Sequence, residues 1–128
     1  MCFHSPFAKM VQKAYGHLLK LNNPAVNDAE IDKKFKNQVE SSLFLGKRYG
    51  NIYNGSLYIG LLSLLFNTEV TNKKILLFSY GSGVCATMFQ AHVRQNPVSA
   101  LQKTRIEKML AERVRVSAVD YSNIMLEK

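Results

Sequence analysis

The sequence predicts an α/β domain, helices packed on a sheet that a β-hairpin closes, and three stretches carry that prediction. In "FAKMVQKAYGHLLKL" apolar or aromatic side chains recur at Phe7, Met10, Val11, Ala14, Tyr15, Leu18 and Leu19, the spacing of one buried helical stripe. "SLYIGLLSLLF", Ser56 to Phe66, is apolar almost throughout yet too short to span a bilayer, and it reads as a helix buried on nearly all sides. "ILLFSY" and "VCATMFQAHV" have the length and composition of strands and are separated by "GSG". Gly81 and Gly83 are expected to supply the tight turn that returns the second strand beside the first.

Taken in order, the elements follow closely. Ser5 suits the N-cap of the first helix, and Pro6, with its fixed φ and missing N–H, suits the first helical position. His4 then lies beside the helix's positive end, where the dipole opposes imidazolium and favours a neutral ring that can hydrogen-bond or exchange a proton. Lys9 and Lys13 are four apart and fall away from the apolar stripe, so both ammonium groups can face one anion. After Leu21, "NNPAVND" reads as a turn, and Asn27 with Glu30 as a capping box that opens a helix through Ile31, Phe35, Val39 and Leu43. "GKRYGN" reads as a loop with two glycines, and "NTEVTNKK" as a polar turn. Pro97 and Ser99 introduce an amphipathic helix with Leu101, Ile106, Met109 and Leu110, and Ser117 with Asp120 caps a short last helix.

Composition narrows the function. The 128 residues are one domain's worth, 47% hydrophobic and 20% charged, enough for a sizeable core. A net charge of +8 suits an anionic partner, but the basic residues are scattered, which argues against a nucleic-acid-binding arm. Cys2 and Cys85 form neither a metal-ligand spacing nor a disulfide framework, so no metal is expected and the reducing cytosol is the default compartment. The first residues lack a continuous apolar region, so no signal peptide and no membrane association are expected.

Three sites could carry chemistry: His4 with the two lysines, "YGNIYNGS", and "FSYGSG". In the second, glycine lets backbone approach a ligand and Asn51 offers a donor and an acceptor ahead of the buried helix. In the third, small residues at a strand end leave room for a thioester or phosphate, and backbone N–H groups could form an oxyanion hole. Each has a plainer reading: a helix entrance with solvated lysines, a glycine–asparagine turn, and a hairpin turn.

The residues also carry a family resemblance. "FHSPFAKMVQKAY", "GNIYNGSLYIGLLSLL" and "ILLFSYGSGVCATMF", in this order, resemble three segments of the C-terminal half of hydroxymethylglutaryl-coenzyme A (HMG-CoA) synthases, members of the thiolase superfamily. "RVSAVDYSNIML" is similar to the family's later "VSPEEFTEIM" region, so the likeness covers almost the whole chain. The stretch from Leu21 to Glu30 is shortened, and Ala8 stands where many members have cysteine.

The resemblance implies a fold, the C-terminal half of the αβαβα thiolase architecture with a mixed sheet, residues 1–128 forming this single domain without the N-terminal half. It also implies a reaction, condensation of acetyl-CoA with acetoacetyl-CoA in the mevalonate route to isoprenoids and sterols. His4 would be the acid/base that polarises the acetoacetyl thioester; Lys9 and Lys13 would contact coenzyme A; Asn51 and Ser82 would bind the acyl substrate. No cofactor is held covalently, since the coenzyme A thioesters are themselves substrates. The family's nucleophilic cysteine and its glutamate belong to the N-terminal half, which becomes a required partner in an intact, homodimeric enzyme of the cytosol or mitochondrion. Cys2 shares a strand with His4 but lies outside anything like the nucleophile segment, and a small buried apolar thiol is its expected state. Taken alone, then, the chain is expected to be inactive. The alternative is a noncatalytic fragment or paralogue that binds coenzyme A or a partner.

Overall fold

The computed structural model describes residues 1–81, 83–97, 101–102 and 105–126. The elements are β1 (Cys2–Phe3), α1 (Ala8–Asn22), α2 (Asp28–Gln38), a 3-10 turn (Glu40–Leu43), α3 (Gly46–Tyr49), α4 (Gly55–Asn67), β2 (Lys74–Gly81), β3 (Cys85–His92), α5 (Ile106–Ala111) and α6 (Ala118–Leu126). The strands form one mixed sheet in the order β1-β2-β3. β1 runs parallel to β2 with Cys2 opposite Leu77 and Phe3 opposite Phe78, and β3 returns antiparallel from Gly81 opposite Cys85 to Lys74 opposite His92.

Alternation along the strands divides the core into two layers. Cys2, Ile75 and Leu77 pack with Leu57 and Leu64 of α4 on one face. Phe3, with Phe78 partly buried beside it, packs against Val11 and Tyr15 of α1 and Phe35 of α2 on the other. Tyr15 is buried and its hydroxyl donates to Gln38 Oε1 at 2.7 Å, so the ring adds core area without leaving a polar atom unpaired. α4 is tied by a buried serine: Ser63 Oγ donates to Ser41 O at 2.7 Å and accepts from Leu45 N at 3.2 Å. At Gly60 a Cβ would lie 3.5 Å from Ser42 O and 3.8 Å from Phe3 O, so the helix passes close to both the 3-10 turn and β1.

Several expectations are corrected. α1 begins at Ala8, not at Pro6, with Phe7 in the N-cap position and no side-chain cap, because Ser5 is held elsewhere. Of its apolar stripe only Val11 and Tyr15 are buried, whereas Phe7 and Met10 are exposed. "GKRYGN" contains the one-turn helix α3. α4 is not buried all round: its buried face is Ser56, Leu57, Gly60, Ser63 and Leu64, while Tyr58 is 67% exposed. In the hairpin, the left-handed residue is Val84 (φ 59°) rather than a glycine among those described. The helix expected after Pro97 is described as α5, whose Ile106 is buried along with Leu101, while Met109 is exposed; Ser99 lies outside the described residues. Both capping residues form as expected: Asn27 Oδ1 accepts from Glu30 N at 2.9 Å, and Ser117 Oγ accepts from Asp120 N at 3.1 Å while donating to its carboxylate at 2.7 Å. Among the described residues no helix is long and apolar enough to cross a membrane.

Candidate functional site

The parallel pairing of β1 with β2 carries the chain directly into the site. One residue past β1, His4 N donates to Phe78 O at 2.7 Å, which fixes the histidine backbone against the middle of "FSY". Ser5 N then donates to Ser56 Oγ at 3.1 Å, at the start of α4. Two consecutive amides therefore draw the histidine motif onto the other two motifs.

The His4 ring meets Tyr80 edge-on, with ring centroids 5.1 Å apart and planes at 61°. Its Nδ1 is buried and has no hydrogen-bond partner. A buried polar nitrogen left unpaired is costly, and a ligand oxygen or a further protein group placed there would remove that cost. Tyr80 Oη in turn donates to the Met10 thioether at 2.9 Å, linking the hairpin to α1.

Lys9 and Lys13 are both exposed on α1. Asn51 is exposed, and its Oδ1 accepts from Tyr53 N at 2.9 Å in a local turn, so its amide nitrogen is the group it can offer outward. Gly50 before it has φ 77°, a conformation that favours glycine. Ser82 lies outside the described residues. An apolar slot of about 230 Å³ separates the first two motifs, with Ser5, Pro6 and Phe7 on one wall and Gly50, Ile52 and Ser56 on the other. His4 and Asn51 are not among its lining residues. The structure thus brings His4 to Phe78, Tyr80 and, through Ser5, to Ser56; Lys9 and Lys13 stay on the outer helix.

Tyr80 and Ser56 were not among the residues singled out from sequence. Period-two alternation places Phe78 and Tyr80 on one strand face, so Tyr80 was within reach of pattern reasoning; Ser56 meets Ser5 only through the fold. Cys2 is fully buried, and burial pushes its thiol up to about 11, far from an activated thiolate. Cys85 is exposed. No group of three or more histidine, cysteine, aspartate or glutamate side chains with metal-binding geometry occurs among the described residues.

The fold and the convergence of three motifs at one strand end place the chain among the thiolase-like proteins. It superposes on the HMG synthase of the curacin biosynthetic pathway with a TM-score of 0.90 at 29% identity, covering 98% of this chain and 31% of that one. The chain belongs to the family described as hydroxymethylglutaryl-coenzyme A synthase C terminal, which matches residues 25–128. It is 32% identical to hydroxymethylglutaryl-CoA synthase B of Dictyostelium discoideum over 98% of this chain and 37% of the relative. With hydroxymethylglutaryl-CoA synthase of Enterococcus faecalis it shares 35% identity over 99% of this chain and 32% of the relative. A solved HMG-CoA synthase complexed with CoA aligns at a TM-score of 0.79 and 37% identity, over 99% of this chain and 32% of that one. The chain therefore spans about a third of the length of the curated relatives it matches.

Proposed function

We propose that this chain supplies the acetoacetyl-CoA side of an HMG-CoA synthase, which joins the acetyl group of acetyl-CoA to acetoacetyl-CoA and releases HMG-CoA and free coenzyme A. In this reading His4 holds or moves a proton at the acetoacetyl thioester and polarises its carbonyl, while Asn51 and Ser82 bind the acyl chain. Lys9 and Lys13 meet the anionic head of coenzyme A. The cysteine that becomes acetylated and the glutamate that deprotonates its methyl group come from a further portion of protein, and the intact enzyme is a homodimer. The observation that carries the reading is the paired amide contact, His4 N to Phe78 O and Ser5 N to Ser56 Oγ, which gathers three motifs around one unpaired imidazole nitrogen.

The test is complementation. The purified chain alone should show no condensation, and mixing or co-expressing it with the N-terminal half of a relative should restore turnover. In that complex His4→Ala should leave acetylation of the distant cysteine intact and slow condensation by about 10²- to 10⁴-fold. Normal condensation with both His4→Ala and His4→Asn would refute the catalytic role. The buried, undissociated Cys2 favours a second reading, a noncatalytic coenzyme A-binding paralogue; binding of coenzyme A without restored turnover would select it.

A further inference from the structure

Two hollows meet at the start of α1. The apolar slot shares Ala8, Leu43 and Lys47 with a second groove of about 350 Å³. This groove is bordered by ammonium groups from three elements: Lys9 of α1, Lys36 of α2 and Lys47 of α3. Its two carboxylates do little to neutralise them. Asp32 accepts from Gln12 Nε2 at 3.2 Å, and Glu40 lies 3.8 Å from Lys47 Nζ between half-exposed side chains, a weak kind of ion pair.

The helix that starts here adds an independent observation. α1 is 15 residues long, has no side-chain cap and no acidic residue in its first turn, and carries Lys9 there instead. A cation at the positive end of a helix is unfavourable by itself, and a bound anion would reverse that penalty. Helix dipole, free first-turn amides and three lysines thus favour negative charge at one place.

We propose that this groove holds phosphate on a pantetheine-bearing ligand, with Lys36 and Lys47 as binding residues beside Lys9, and that the thin acyl-carrying arm runs into the adjoining apolar slot. The inference rests on the thioester reading above and adds two residues and a direction to it. Lys13 is not among the residues lining the groove.

The test uses the full 128-residue chain and calorimetric titration with coenzyme A, dephospho-coenzyme A, 4′-phosphopantetheine and pantetheine. Lys36→Ala/Lys47→Ala should weaken coenzyme A binding by about three- to thirtyfold, the sum of two screened charge contacts, and leave pantetheine binding unchanged. A control pair with the same charge change on exposed residues outside the groove, Lys33→Ala/Lys74→Ala, should stay within about twofold of wild type. Loss with 4′-phosphopantetheine as well as coenzyme A places the pantetheine phosphate in the groove; loss with coenzyme A alone places the nucleotide phosphates there. Unchanged coenzyme A binding in the groove variant, with loss in Lys9→Ala/Lys13→Ala, overturns the groove and spares the thioester reading. Equal loss in the control pair also overturns it, and a wild-type chain that binds no coenzyme A overturns both. Thermal melting of each variant confirms that it is folded.

Discussion

Cys2 and Phe3 are neighbours that point into opposite layers of the core, and strand geometry rather than residue type decides what each can do. At 0% exposure Cys2 packs with Leu57 and Leu77, and burial raises its thiol from 9.0 to about 11. At pH 8 iodoacetamide should therefore modify Cys85 and spare Cys2 in the folded chain, which mass mapping of the labelled peptides will show. The raised value also has a pH signature. Below pH 9 both states keep the proton and the contribution is fully present; between pH 9 and 11 only the unfolded thiol ionises, so stability falls as pH rises. The loss should approach about 2–3 kcal/mol by pH 11. Urea unfolding across this range should show it in wild type and lack it in Cys2→Ala. The inert state of this cysteine was legible from its apolar surroundings, as was the importance of His4. The Tyr80 contact was missed because Tyr80 reaches His4 only through the β1–β2 register.

Elements whose ends are set by nearby residues were read correctly, and those set by distant ones were not. Asn27 caps α2 within three residues, and Asn27→Ala should cost about 1 kcal/mol of unfolding free energy in denaturant titration. Ser5 could not be assigned from sequence, because its amide is taken by Ser56 on a helix far along the chain. The same difference governs two glycines that look alike in sequence. Gly50 has φ 77°, so Gly50→Ala should destabilise by about 1–2 kcal/mol. At Gly60 an added methyl would make only ordinary contacts, so Gly60→Ala should be neutral or stabilise by up to about 1 kcal/mol. Opposite signs for the two substitutions in one set of urea melts would support this account; equal costs would contradict it.

At the scale of the whole molecule, the sheet extends beyond the helices. β3 is exposed over almost its entire length, with Met88 and Phe89 open on opposite faces and no formal charge between Cys85 and His92. α6 has no buried residue and exposes Val119, Tyr121 and Ile124. Uncharged edge strands and apolar patches adhere, while a net charge of +8 keeps copies apart. Added salt should therefore promote self-association in sedimentation velocity, and Phe89→Lys should reduce it. The sequence marks "VCATMFQAHV" as a strand but not as an uncovered one. Apolar periodicity reports a face that wants burial, and whether α1 or α4 reaches it is a property of the packing.

The pairing that brings His4 to its place has a further consequence, in time rather than space. The hairpin closes between residues 81 and 85, whereas β1 joins residue 2 to residue 77. Chain closure over the longer span is entropically slower, so the hairpin should zip early and the first strand dock last. The histidine is then the final piece to be seated: a chain interrupted partway through folding has its strands and lysine-bearing helices but no organised acid/base. Pulse-labelled hydrogen exchange during refolding should register this as protection of the β2–β3 amides in an early phase, with the His4 amide protected only in the slowest one.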